Sequence, residues 1–272
     1  MNSFARVVRD AVKYFLQNGY SSRDELMRWQ DIIRQAAEGE TADDYASMVT
    51  NRLSQIYERQ VNRGTMLKRH QGIPLFTIHH LQPKMRSELD RRILASVDLI
   101  KLNREKAIST TLSRFSGWAS SIPSAETIAL RGIQGTMLKT AQHIQKSAKQ
   151  MDYEARRVMI DQGHKLIANI DNVVATSNNA IAAQWHSHWR RPGYDYRKDH
   201  KERDEKVYLI RGSWAQEKGY VKTGSVGYLD EVTQPGEEVF CSCYVTYIYN
   251  LRSLPADMLT QKGVQFMESV RK

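Results

Sequence analysis

Five side chains able to hold a metal ion fall in the last third of the sequence: His186, His188, His200, Cys241 and Cys243. The two cysteines are the only ones in the 272 residues. Thiolate sulfur and imidazole nitrogen are the donors that tetrahedral zinc takes, with Zn–S near about 2.3 Å. The run VFCSCYVTYIYN (239–250) is β-branched and aromatic and predicts a strand. Residues i and i+2 of a strand share a face, which sets the Cα atoms of Cys241 and Cys243 roughly 6.6 Å apart. A disulfide prefers roughly 5.5–6 Å, so the pair is poorly spaced for one and better spaced to converge on an ion. His200 is the first outside ligand expected, and His186 and His188 compete for the fourth position. The alternative is a reduced core face of Cys241, Cys243, Val245 and Tyr247, since zinc pairs usually have about two to four residues between their cysteines, not one.

The stretch from Asp199 to Asp204 (DHKERD) offers other chemistry. An Asp–His pair can activate water beside a divalent ion. A metal-dependent hydrolase or nuclease built on His200, Asp204, Cys241 and Cys243 is therefore the alternative function. Such nucleases also use downstream histidines, and none follows His200. His200 oriented by Asp204 could serve a cysteine nucleophile as base, but no nucleophile motif surrounds either cysteine. The sequence also has no P-loop, GxGxxG or HExxH pattern.

Most of the chain that must position these groups reads as helix. Apolar residues recur at helical spacing from Ser3 to Asn18, stopped by Gly19. Ser22 and Glu25 form a capping box for a second helix, which carries Leu26, Trp29, Ile32 and Ile33 and ends near Gly39. Thr41 is the expected cap of a third. A long helix follows Pro83 to about Ser120, and 125–185 predicts one very long helix or two, weakened at Gly132, Gly135 and Gly163. Beyond Trp189, KVYLIR (206–211) predicts a short strand, 239–250 the strongest strand, and 260–270 a closing helix. The expected fold class is α+β: an extended, mainly α-helical N-terminal region, residues 1–185, followed by a small α+β domain, residues 186–272.

The net charge of +10 is uneven: 26 Lys and Arg against 18 acidic residues up to 185, and 14 against 12 beyond. A basic helical body suits nucleic acid or an acidic protein surface. Arg131, Lys139, Lys146 and Lys149 lie in a stretch without an acidic residue, and Arg59, Arg63, Lys68 and Arg69 form a second run. On helices these residues would make sequence-independent phosphate contacts; the alternative is ordinary solvated faces. No run approaches the roughly 18 apolar residues of a membrane span, and the N-terminus lacks the apolar stretch of a signal peptide. The expectation is a protein made in the cytoplasm with no membrane partner.

One pattern gathers these residues. His200-x-x-x-Asp204-x-x-Val207, then Pro235-Gly236 and Cys241-x-Cys243, resembles the C-terminal domain of the phage Mu F-like head morphogenesis family, with Arg197 in place of the family's arginine. Glu205 stands where the family has glycine, and Ser242 where it has arginine. The resemblance covers 190–250. It implies a minor head protein of a tailed double-stranded DNA phage, carried in the virion after assembly in the host cytoplasm and present in multiple copies in a larger assembly. The partners it implies are the portal, the major capsid or scaffold protein, and packaged DNA. It implies no catalysis: Arg197, His200, Asp204, Cys241 and Cys243 form a structural cluster, with or without structural zinc. A nucleic-acid-binding protein unrelated to phage is a third reading, carried by the basic helices alone.

Overall fold

The computed structural model describes residues 3–38 and 42–270, of which 42 and 43 by backbone alone. The expected helix end at Gly39 and cap at Thr41 lie outside the described residues. The chain is α+β, mainly helical up to residue 177, with a small antiparallel sheet near the C-terminus. The helices are α1 (Ser3–Asn18), α2 (Arg23–Glu38), α3 (Ala42–Tyr57), α4 (Leu75–His80), α5 (Gln82–Ser120), α6 (Ala125–Arg131) and α7 (Gly135–Ser177). Strand β1 (Ala182–His186) follows, then α8 (Lys198–Glu202), β2 (Val207–Leu209), α9 (Trp214–Glu217), β3 (Tyr244–Ile248) and α10 (Gln261–Ser269). No described helix is long and apolar enough to cross a membrane.

Contacts divide the chain into two compact units, Met1–Thr50 with Leu94–Val158, and Asn51–Ile93 with Met159–Lys272. This is not the linear division at residue 185, which would cut β1 in two. The sheet's unit recruits 51–93 and residues 159–177 of α7, segments whose helical pattern carries no mark of their partner.

The first unit is all helical. Phe4, Val8, Val12 and Phe15 of α1 form one buried stripe at helical spacing. They pack in one core with Leu26 and Ile33 of α2, Phe115 and Trp118 of α5, and Ile144 and Met151 of α7. The Glu25 N–H donates to Ser22 Oγ at 3.1 Å, so the predicted cap is formed. Gly19 ends α1 at φ +67°, and a Cβ there would lie 2.5 Å from the Pro123 carbonyl. Only glycine fits that turn without moving backbone.

In the second unit the strand order is β2-β1-β3, both pairings antiparallel, with Ala183 opposite Tyr208 on one side and Tyr247 on the other. One face of the sheet buries Ala183, Trp185, Tyr208, Val245 and Tyr247 with both cysteines; the other buries Ala182 and Leu209 with Val221, Leu251 and Met258.

Two sequence expectations change here. The predicted helix over 125–185 is α6 and α7 followed by a strand. Gly132 at φ +70° separates the helices, and β1 is the central strand. A central strand is covered on both sides, so AAQW shows no polar-apolar alternation to betray it. The predicted strand 239–250 shrinks to Tyr244–Ile248. Phe240 takes φ +60°, and its N–H donates to Asp161 Oδ1 at 2.7 Å instead of joining the ladder. The two cysteines therefore sit in the segment that leads into β3, not on a regular strand.

Candidate functional site

His200 comes from the short helix α8 and is 1% exposed; Cys241 is 1% and Cys243 6% exposed. The imidazole Nδ1 lies 3.6 Å from Cys241 Sγ and 3.5 Å from Cys243 Sγ. All three donor atoms fall within 4.8 Å of one another, the one such group of His, Cys and carboxylate among the described residues. On the other side of the ring, Nε2 is 3.0 Å from Glu238 Oε2, an ion-pair distance off the line of a hydrogen bond. Arg197 holds Glu238 in turn, with Nε 2.9 Å from Oε2, and donates from its terminal nitrogen to the Val239 carbonyl at 2.9 Å. The predicted Arg197, His200, Cys241 and Cys243 thus converge, joined through a glutamate that the spacing did not point to.

The loop geometry explains the convergence. Pro235 and Gly236 are buried in the turn before the cysteines. Gly236 adopts φ +77°, and a Cβ on it would come within 3.1 Å of the His164 carbonyl of α7. Its N–H reaches Cys241 Sγ at 3.4 Å. Trp185 closes the site from β1, edge-on to the His200 ring at 5.6 Å and beneath the Arg203 guanidinium at 5.2 Å.

Cys243, then the Gly236 N–H and the nearby His200, bring the Cys241 thiol down to about 5 against the cost of burial. The neighbouring Cys241 and burial push the Cys243 thiol up. A low thiol pKa marks reactivity where solvent reaches the sulfur; Cys241 is sealed.

Asp204 does not join His200. Its Oδ1 accepts the Ser187 N–H at 2.8 Å and its Oδ2 the Trp189 indole N–H at 2.8 Å, with Arg190 at 3.7 Å. It pins the turn after β1, which sets Ser187 Oγ 3.9 Å from Cys243 Sγ. The carboxylates near His200 are Glu238 and, at 3.8 Å, Asp199. The expected base-and-orienter pairing of His200 with Asp204 is therefore absent from the geometry. Burial opposes ionisation of Asp204, but the Ser187 and Trp189 hydrogen bonds and the Arg190 charge prevail and hold its pKa below the ordinary 3.8. A depressed carboxylate contributes stability above its unfolded pKa and loses it as pH falls toward the folded value. Asp204→Asn is expected to be less stable than the parent near about pH 6, with the gap closing below about 3.8. Denaturant midpoints measured against pH check this.

His186 and His188 do not enter the cluster. His186 Nε2 is bonded to Thr246 Oγ1 at 2.9 Å, and the ring stacks on Tyr244 at 4.8 Å. A strand alternates its faces, so His186 points away from the side that buries Trp185. His188 lies against Tyr244 and Tyr194, its Nδ1 buried without a hydrogen bond among the described residues. His164 of α7 went unmarked in the sequence. Burial lowers its pKa while Cys241 and Asp161 pull it up, which places it beside the cysteine loop.

A second buried group also escaped the sequence reading. Arg69 pairs with Asp171 of α7 through Nε at 2.6 Å and a terminal nitrogen at 3.1 Å, and donates to Gln60 at 2.8 Å. His70 bridges Asp171 at 3.1 Å and the Tyr249 hydroxyl at 2.6 Å, and stacks on Tyr247. Arg69 was expected among the phosphate-contacting residues; its guanidinium is committed to this network. Arg59, Arg63 and Lys68 are exposed, as are Arg131, Lys139, Lys146 and Lys149. On α7 the last three lie opposite the buried Ala141, Ile144 and Ala148.

The second unit also holds a cleft of about 970 Å³, lined among others by Lys165, Asp171, His188, Cys243 and Tyr247. Comparison of the chain with protein-family models, with curated proteins and with solved structures gives no match.

Proposed function

We propose that this chain is a minor head protein of a tailed double-stranded DNA phage. The sheet region serves as its Mu F-like module, and its helices contact portal, major capsid or scaffold protein. One observation supports the reading: four of the motif's separated residues, Arg197, His200, Cys241 and Cys243, come together, while Asp204 holds a neighbouring turn. His200, Cys241 and Cys243 meet at one point, Arg197 reaches it through Glu238, and Gly236 turns its N–H onto Cys241. Asp204 fixes the turn that brings Ser187 to Cys243.

The reading is non-enzymatic. Asp204 is engaged with an indole and a backbone amide, so the two residues that a hydrolase would pair are employed separately. The exposed Arg131, Lys139, Lys146 and Lys149 give the helices a surface for packaged DNA or an acidic protein face, held by contacts that weaken with salt. The protein would reside in the phage head, after assembly in the host cytoplasm.

Mass spectrometry of purified virions and procapsids tests this. The chain is expected in both, at a small fraction of the abundance of the major capsid protein. Its absence from both would sink the proposal.

A further inference from the structure

We propose that His200 Nδ1, Cys241 Sγ and Cys243 Sγ are three ligands of one zinc ion, and that Glu238 and Arg197 are the positioning residues that aim the imidazole at it. The distances carry this. Tetrahedral zinc with Zn–S near about 2.3 Å and Zn–N near about 2.05 Å sets a nitrogen and a sulfur about 3.6 Å apart. The two nitrogen–sulfur separations here are 3.6 and 3.5 Å.

Hydrogen bonding alone accounts for the arrangement poorly. Nδ1 has one lone pair or one proton, yet it faces two sulfurs at once, and a single direction can serve only one of them well. An ion at the centre of the three atoms satisfies all of them. On the far side of the ring, Nε2 sits 3.0 Å from the Glu238 carboxylate, off the line of a hydrogen bond but in the place of an outer-shell partner to a ligated histidine. Arg197 fixes that carboxylate. The Gly236 N–H points at Cys241 Sγ, a bond suited to a metal-bound thiolate, and Trp185 makes the wall apolar. Two thiolates with one imidazole suit zinc, whereas magnesium and calcium take oxygen donors.

No fourth His, Cys, Asp or Glu atom joins the group among the described residues. Of the three ligands, Cys243 also lines the cleft, which makes that side the place for a fourth ligand. The site would hold zinc whether or not the chain is carried in phage heads.

The full chain, purified and reconstituted with Zn²⁺ and separately with Co²⁺, decides the matter. Expected are one zinc per chain by elemental analysis and, with cobalt, a thiolate charge-transfer band with strong tetrahedral visible bands. Cys241→Ser and His200→Ala are expected to lose the bound ion, while His186→Ala and His188→Ala keep it. Glu238→Gln, which leaves all three ligands in place, should weaken zinc binding about 10–100-fold. A wild-type chain that binds no zinc, or gives cobalt spectra without a thiolate band, overturns the proposal even if the ligand variants do not fold. Loss of the ion in His188→Ala overturns the ligand assignment.

Discussion

Asp171→Ala is expected to destabilise the sheet-containing unit by about 3–5 kcal/mol, because it removes one partner of a buried ion pair and strands the other. The Asp171 side chain is 5% exposed and that of Arg69 13%. Both guanidinium bonds to Asp171 would be lost, leaving Arg69 with Gln60, and His70 would keep only the Tyr249 hydroxyl. The large loss comes from an uncompensated charge, not from the intrinsic worth of the pair. Arg69→Met combined with Asp171→Ala should therefore recover part of it, since an apolar replacement of a buried pair is often close to neutral. Urea denaturation of the parent, the single and the double variants reads both effects. A single-variant loss below about 1 kcal/mol would mean that solvent screens the pair as it does at a surface. The network joins the turn Thr65–Arg69, α7 and the end of β3, so its failure should be felt across the unit.

Trp185→Ala is the second large effect expected, at about 3–5 kcal/mol, the range for deleting a large aromatic side chain from a core. Trp185 is fully buried, on the central strand, and touches Tyr208, His200 and Arg203. Its indole N–H has no hydrogen-bond partner among the described residues. Trp185→Phe removes that unpaired group along with some volume, so it should cost less than half as much. Near-UV circular dichroism and denaturation follow the two variants. Equal losses for both would show that the indole nitrogen matters in a way its surroundings do not suggest. The alanine variant should also loosen the imidazole, whose flat edge rests on this ring.

The parts of this molecule that could be read from its residues are those held together locally. Helix α1 spans Ser3–Asn18, the range its apolar spacing and Gly19 predict, because a helix's hydrogen bonds and its stop signal lie within a few residues. The Ser22 cap is legible for the same reason. The chemical types at the site, two thiols and an imidazole, were also legible, since few other side chains offer soft donors. β1 was not. Its alanines suit a helix in isolation, and its strand conformation follows from pairing with β2 and β3, which lie further along the chain.

The same division runs through the site. Composition and spacing marked out His200, Cys241 and Cys243 and the α+β class. They could not rank His186 and His188, because the register of β1 and the turn that Asp204 pins decide which way those rings face. Nor could they find Glu238 as the partner of His200, or Asp161 and His164 on α7 behind the cysteine loop, or Asp171 opposite Arg69. Each of these is a contact between residues about 40 to 100 positions apart, where the cost of closing the intervening chain is recovered only when the whole unit packs. Arg69 shows this most plainly. As a residue it is one more cation in a basic run; placed within reach of a buried carboxylate, it becomes part of the core.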